Sequence, residues 1–153
     1  MARTVVAVVV LLILAVFLVR HYHNHDIKTV IRQIEDLLEA ENLSGCMAYI
    51  AVDYSDSHDH DRADLEFIGA DFFRTVEGLN LTIVNLDIER RDNYATVTMQ
   101  FKLVGTFKGY RGYLLGGIAD VSRAELRMVN RDGRWHILEI ENQELGSQPG
   151  RRS

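Results

Sequence analysis

Five of the six histidines fall in two short clusters, each beside aspartates. The first is HYHNHD, residues 21–26, with His21, His23 and His25 on alternating positions; the second is SHDHD, residues 57–61, with His58 and His60. Imidazole ligates zinc, copper and nickel, and it also titrates near neutrality. In an extended segment alternate side chains project to one side, so three imidazoles can face one ion. In a helix the same spacing fans them apart. A full structural zinc site takes four ligands whose orientation is fixed by outer hydrogen bonds. A metal site therefore requires residues 21–25 to be extended and to approach His58 and His60. The competing reading is a polar, weakly titrating collar.

Other residue types invite other chemistry. The run Asp53, Asp56, Asp59, Asp61, Asp64 suggests calcium, but no start in it supplies ligands at positions 1, 3 and 5, a glycine at 6 and a glutamate at 12. It reads as a solvated loop with helix-capping aspartates. KGYRGY, residues 108–113, mixes cations with aromatics in the manner of a single-strand nucleic-acid binder. From Asp26 onward, however, 22 acidic residues face 15 basic ones, a net −7, which excludes nucleic acid as a partner driven by phosphate neutralisation. The stretch reads instead as a glycine-permitted rim loop or a membrane-facing loop using Phe107, Tyr110 and Tyr113. The lone Cys46 cannot form an internal disulfide, and its apolar surroundings make it a small core residue.

These residues must be positioned by what surrounds them. Val5 to Val19, VVAVVVLLILAVFLV, has no polar side chain and is bracketed by Arg3 and Arg20. It reads as a bilayer-spanning segment, completed by its neighbours and by snorkelling arginines. A cleaved signal peptide wants small residues before the cut, where Phe17, Leu18, Val19 and Arg20 stand. The charges flanking the segment are nearly balanced. A very short N-tail most simply stays behind and sends the domain out of the cytoplasm.

Ile27, Val30, Ile31, Ile34, Leu37 and Leu38 recur at helical spacing, with Asp26 as N-cap and Asn42 as stop. A short second helix follows, with Ser44 as cap and Met47, Tyr49, Ile50 and Val52 partly buried. Asp61 and Asp64 approximate a capping box at the start of a third, whose apolar stripe is Leu65, Phe67, Ile68, Phe72, Phe73 and Val76. After Gly78 the period falls to 2. Strands are expected over 81–89, 94–103, 118–129 and the final RWHILEIEN, with turns at ERRDN and RDG and a glycine-rich connection over 105–117. The change of phase from Trp135 and Ile137 to Leu138 and Ile140 predicts a bulge or a bend.

The order of elements, the VDYSD segment (52–56), the FF pair (72, 73), the NYATV strand (93–97) and the closing DGRWHI (132–137) resemble the nuclear transport factor 2-like superfamily, also described as SnoaL-like or cystatin-like. The resemblance covers roughly residues 27–143. It implies an α+β cone: an N-terminal transmembrane helix, then three helices packed on a strongly curved four-stranded antiparallel sheet. Where members of the D-Y-x-D type often carry a glycine after the second aspartate, this chain has Ser57, His58 and Asp59. Members resembling ketosteroid isomerase use a pocket carboxylate as base and a tyrosine with a protonated acid as oxyanion hole. The equivalents here are pocket candidates only: Tyr49, Tyr54 and Asp56 near the mouth, and His136 on the last strand.

The expectation is therefore a transmembrane signal anchor with a His-rich spacer over residues 1–25, a nuclear transport factor 2-like domain over 26–145 and a disordered tail over 146–153. The domain is expected in the periplasm, on an inner-membrane anchor, acting as a non-catalytic binding or scaffold module without a cofactor. Its expected partners are the bilayer through Val5 to Val19, other envelope proteins, and a second copy through the sheet face. The alternative is a small apolar-ligand binder or an isomerase- or cyclase-like enzyme using the cone pocket. The fold hosts both kinds.

Overall fold

The computed structural model describes residues 13, 14 and 26–142. Most of the expected membrane segment, and the residues His21, His23 and His25, lie outside that range, as does the tail from residue 143. Ile13 and Leu14 are helical and exposed. Among the described residues no helix is long and apolar enough to cross a membrane.

The chain falls into two compact units, Met1–Arg32 and Gln33–Ser153. The boundary lies inside the first helix, α1, residues 26–39. In the first unit Ile27 and Ile31 are buried one turn apart, as the periodicity predicts. Asp26 accepts the backbone N–H of Ile27 at 2.8 Å.

In the second unit α1 ends with the N–H of Asn42 on the carbonyl of Leu37 and that of Glu41 on Leu38, a Schellman-type stop. The left-handed residue is Glu41, φ 54°, and not the expected Asn42. Glu41 and Glu39 then bind the sheet edge: Glu41 accepts the N–H of Gly78, and Glu39 accepts the Leu81 N–H and the Asn80 side chain. Asn42 caps α2, Leu43–Met47, by accepting the N–H of Gly45, so Ser44 is not the cap. Val52, expected to be partly buried, is exposed. Helix α3, Arg62–Thr75, carries the predicted capping box, Asp61 accepting the N–H of Ala63 and Asp64 while Asp64 accepts that of Asp61.

The sheet corrects the expected count. It has five antiparallel strands, not four: β1 Val76–Arg91, β2 Tyr94–Phe107, β3 Tyr110–Leu115, β4 Ser122–Arg131 and β5 Arg134–Asn142. Their order is β1-β2-β4-β5, and β3 also pairs with β2 beyond the end of β4. The glycine-rich connection is thus a hairpin, closed by Lys108 (φ 50°) and Gly109 (φ 81°), both left-handed as a two-residue turn requires. Ile118, expected at the start of a strand, lies exposed in the loop before β4.

One sheet face is the core. Ala95, Val97, Met99, Phe101 and Leu103 are buried, and they register with Met128, Leu126, Ala124 and Ser122 on β4 and with Ile88, Leu86, Ile83 and Leu81 on β1. The expected bulge is present. Arg127 pairs with Glu139 and Met128 with Ile137, so Leu138 is the extra residue and Ile140 returns to the core side opposite Leu126.

Candidate functional site

Tyr49, Tyr54 and Asp56 are brought together with β5 by the segment that follows α2. This segment runs beside the strand: Ile137 N–H donates to the Tyr49 carbonyl, Ala51 N–H to Ile137 and Ser55 N–H to Leu138. Residues 49–55 so cover the edge of β5. The chain then turns back through residues 56–60 to reach the Asp61 cap of α3.

Asp56 organises that turn. Its Oδ1 accepts the backbone N–H of His58 (2.9 Å) and of His60 (3.0 Å). Its Oδ2 lies 3.1 Å from Nδ1 of His60 and 3.3 Å from the Tyr54 hydroxyl. Burial pushes this carboxyl up, but the two amides and the His60 ring outweigh it, and the net shift is downward. Asp59 takes a left-handed conformation, φ 61°, and closes the turn by donating its N–H to the Asp56 carbonyl. One ligand atom each from Asp56, His58 and His60 lies within 4.8 Å of the others, and the two imidazoles stack at 5.9 Å. His58 and His60 therefore converge on Asp56. Their relation to His21, His23 and His25 lies outside the described residues.

Tyr54 is buried, and its hydroxyl donates to Asp56. Burial first, then the Asp56 charge and hydrogen bond, raise its pKa above the ordinary tyrosine range. The expected result of an NMR titration is a Tyr54 ring that stays neutral at a pH where an ordinary solvent-exposed tyrosine has ionised. A common midpoint would contradict the burial.

Tyr49 is half-buried and donates its hydroxyl to Gln33 at 2.7 Å, away from Asp56. His136 sits on β5 opposite Val129, and its Nδ1 is buried without a hydrogen-bond partner. Cys46 is half-buried, and burial raises its thiol pKa, opposite to the shift that makes a thiolate reactive.

Sequence reasoning missed Arg131. It grips Asp53 with both terminal guanidinium nitrogens, Nη1 and Nη2, at 2.8 and 2.7 Å, tying the loop to the β4–β5 hairpin across 78 residues. No local pattern announces a pair so distant. The Arg131 hydrogen bonds hold the Asp53 carboxyl below its usual range. A depressed folded-state pKa means that the contact stabilises fully above the unfolded carboxylate pKa and is lost as pH falls through the folded value. Both groups are wet, so the expected effect on stability is small. The direct check is the Asp53 carboxyl titration, expected to return to the ordinary midpoint in Arg131→Ala.

A separate open cleft of about 350 Å³ lies where α3 passes into β1, lined by Thr75, Glu77, Thr106, Phe107, Lys108 and Gly109. It contains none of the pocket candidates. Apolar side chains are also displayed. Phe67 is 77% exposed and Ile68 45%, so the predicted stripe of α3 is buried only in part: Leu65, Phe72 and Phe73 are half-covered, and Val76, where β1 begins, is buried. Tyr110 is 84% exposed, and Phe107 and Tyr113 are exposed beside it on the β2–β3 hairpin.

No family model matches the chain, and no curated protein matches it. Solved structures do. A candidate scytalone dehydratase from Novosphingobium aromaticivorans superposes with a TM-score of 0.69 at 14% identity, over 80% of this chain and 84% of that one. A nuclear transport factor 2-like protein with a cystatin-like fold from the same organism gives 0.62 at 14% identity, over 84% and 86%. A nuclear transport factor 2-like protein of unknown function from Pseudomonas putida gives 0.62 at 11%, over 80% and 86%. At such identities the likeness is one of architecture. The chain has the nuclear transport factor 2-like, cystatin-like α+β fold.

Proposed function

We propose that the protein is a single-pass, inner-membrane-anchored chain whose domain stands outside the cytoplasm and serves as a non-catalytic binding or scaffold module of the cell envelope. The anchor rests on the uninterrupted apolar run Val5–Val19 between Arg3 and Arg20. The binding reading rests on one observation, the placement of polar and apolar side chains. Among the described residues Ser122 is the one buried residue of polar or charged type. Chemistry of the ketosteroid isomerase kind uses carboxyls whose pKa is raised, modestly in the base and strongly in the protonated acid of the oxyanion hole. Asp56 is shifted the other way.

Large apolar side chains meanwhile face solvent on α3 and on the β2–β3 hairpin, the kind of surface that marks protein or membrane contacts. A homodimer through the outer sheet face would bury Thr96, Thr98, Gln100, Arg123 and the Arg127–Glu139 ion pair. The apolar surfaces are the stronger candidates for contact.

Two measurements test the reading. A reporter fused to the C-terminus of the full chain is expected to be active only outside the cytoplasm; activity of a cytoplasm-only reporter overturns the orientation. A photo-crosslinker at position 67 or 110 is expected to give discrete adducts with envelope proteins that a crosslinker at Gln100 does not give. Equal yields at all three positions sink the surface.

A second reading, small-ligand binding or isomerase- or cyclase-like chemistry, is favoured by the partnerless buried Nδ1 of His136, because an orphan buried nitrogen is often explained by something that binds there. A His136→Ala chain that keeps all crosslinks leaves that group without a part in the scaffold role.

A further inference from the structure

The turn between β5's covering segment and α3 carries a set of donors that the binding reading does not use. We infer that Asp56, His58 and His60 form a solvent-facing site for one divalent transition-metal ion of the zinc class, with the carboxylate and two imidazoles as ligands. The spacing D-x-H-x-H puts three donors on five consecutive residues. Spacing alone would be weak; the geometry is what carries it.

Oδ2 of Asp56 and Nδ1 of His60 stand 3.1 Å apart, within a few tenths of an ångström of the roughly 3.4 Å between two tetrahedral ligands each about 2.1 Å from one ion. A metal bound there replaces the direct contact between these two atoms. The third donor, a ring nitrogen of His58, belongs to a set in which one ligand atom from each of the three residues lies within 4.8 Å of the others. It has to close by at most about 1.5 Å to reach ligand spacing. His58 is exposed, its ring lying 3.4 Å from Ser57 Oγ and stacked on the His60 ring, so rotation of an exposed side chain is the movement by which it would reach ligand spacing.

The carboxylate is already oriented for the task. Two backbone amides fix Oδ1, and the Tyr54 hydroxyl supports Oδ2 from the buried side. Outer hydrogen bonds of this kind are what hold a ligating carboxylate in place. The donor set, two imidazoles and one carboxylate, suits zinc, nickel, cobalt or copper and not calcium or magnesium, which take oxygen shells. Three protein ligands leave coordination positions open to water or to a group from a bound partner. The ion staples the loop between the β5 edge and α3.

The test uses the full chain in detergent micelles, stripped with chelator and titrated with Co²⁺ alone as a spectroscopic probe, then with Zn²⁺. The expected result is a saturable Co²⁺ absorption band at one ion per chain, displaced by Zn²⁺, together with a rise in thermal midpoint on adding Zn²⁺. His58→Ala and His60→Ala are each expected to weaken Zn²⁺ by about tenfold or more. A chain with His21, His23 and His25 all replaced by alanine is expected to keep the band. His58 lies at the surface, so His58→Ala and the milder His58→Gln are checked for fold by circular dichroism, and loss of metal in a folded variant supports the site. Absence of a saturable Co²⁺ band overturns it. So does a band that disappears in the residue 21–25 variant and survives in His58→Ala.

Discussion

Replacing Trp135 by alanine is expected to remove about 3–5 kcal/mol of folding stability. The indole is the single tryptophan of the chain and is 3% exposed at the start of β5. It closes the end of the core where Asn130 pairs with it across the β4–β5 hairpin, and Met128 and Ile137, both buried, pair two rungs further along. Fully burying an aromatic of this size removes roughly 150–250 Å² from water, worth on the order of 4–6 kcal/mol at about 25 cal/mol per Å². The Arg90 guanidinium lies 4.9 Å from the ring, and that cation–π contact adds about 0.5–1 kcal/mol. Since a domain of this kind has about 5–15 kcal/mol in total, the substitution consumes a large part of it. Urea unfolding of the full chain in micelles, followed by far-ultraviolet circular dichroism, reads the loss. Arg90→Ala, which removes the cation and leaves the indole, is expected to cost much less. A Trp135→Ala midpoint within about 0.5 kcal/mol of the parent, the range of an ordinary surface change, would mean that this end of the sheet is not closed as described.

Where a side chain's environment follows from its period, the sequence was a sound guide. β2 alternates cleanly because one face lies on the core and the other does not, and the Leu138 bulge is visible as a one-residue slip between Ile137 and Ile140. The α3 capping box is readable because Asp61 and Asp64 act locally. β3 was hidden for a physical reason. From Tyr110 to Tyr113 both faces are exposed, so no alternation is imposed, and the strand exists because the left-handed Lys108–Gly109 turn folds it back on β2. The two-residue Lys-Gly turn between Phe107 and Tyr110 was the signal available.

α3 teaches the converse. A 3.6-residue period identifies an apolar face but does not say what covers it, and Phe67 and Ile68 stand in solvent. The candidate site was legible in part for similar reasons. Tyr54, Asp56, His58 and His60 are close in sequence, and a short turn brings them together. Tyr49 turns its hydroxyl to Gln33, and His136 reaches the region only through a strand more than 70 residues on, so their relation to Asp56 depends on tertiary pairing that no local pattern encodes.

Gly105→Val is the second substitution with a large expected effect, and it tests how the exposed hairpin is joined to the core. Gly105 is buried in β2, just past the point where pairing passes from β4, last at Phe101–Ser122, to β3, where Gly105 faces Gly112. A Cβ at this position would meet Leu114 at 2.8 Å, Val76 at 2.9 Å and Leu79 at 3.0 Å, three side chains from two other strands. Val76 and Leu79 are themselves buried, and Val76 is β-branched and stiff, so neither yields freely. Alanine already forces the Leu114 and Val76 side chains to shift, and the lost flexibility of the unfolded chain returns part of that cost. Valine adds two more methyl groups and overpacks the junction, for an expected loss of about 1–3 kcal/mol. Valine's preference for strands acts in the opposite direction with at most about 1 kcal/mol, so overpacking decides the sign. Relief of the clash moves β3 away from Val76 and Leu79. The amides of Tyr110 and Gly112, which face β2 in the Phe107–Tyr110 and Gly105–Gly112 pairs, should therefore lose hydrogen-exchange protection while those of Val97 and Leu126 keep theirs. A Gly105→Val chain more stable than the parent would show that β1, β2 and β3 do not approach one another so closely at this junction.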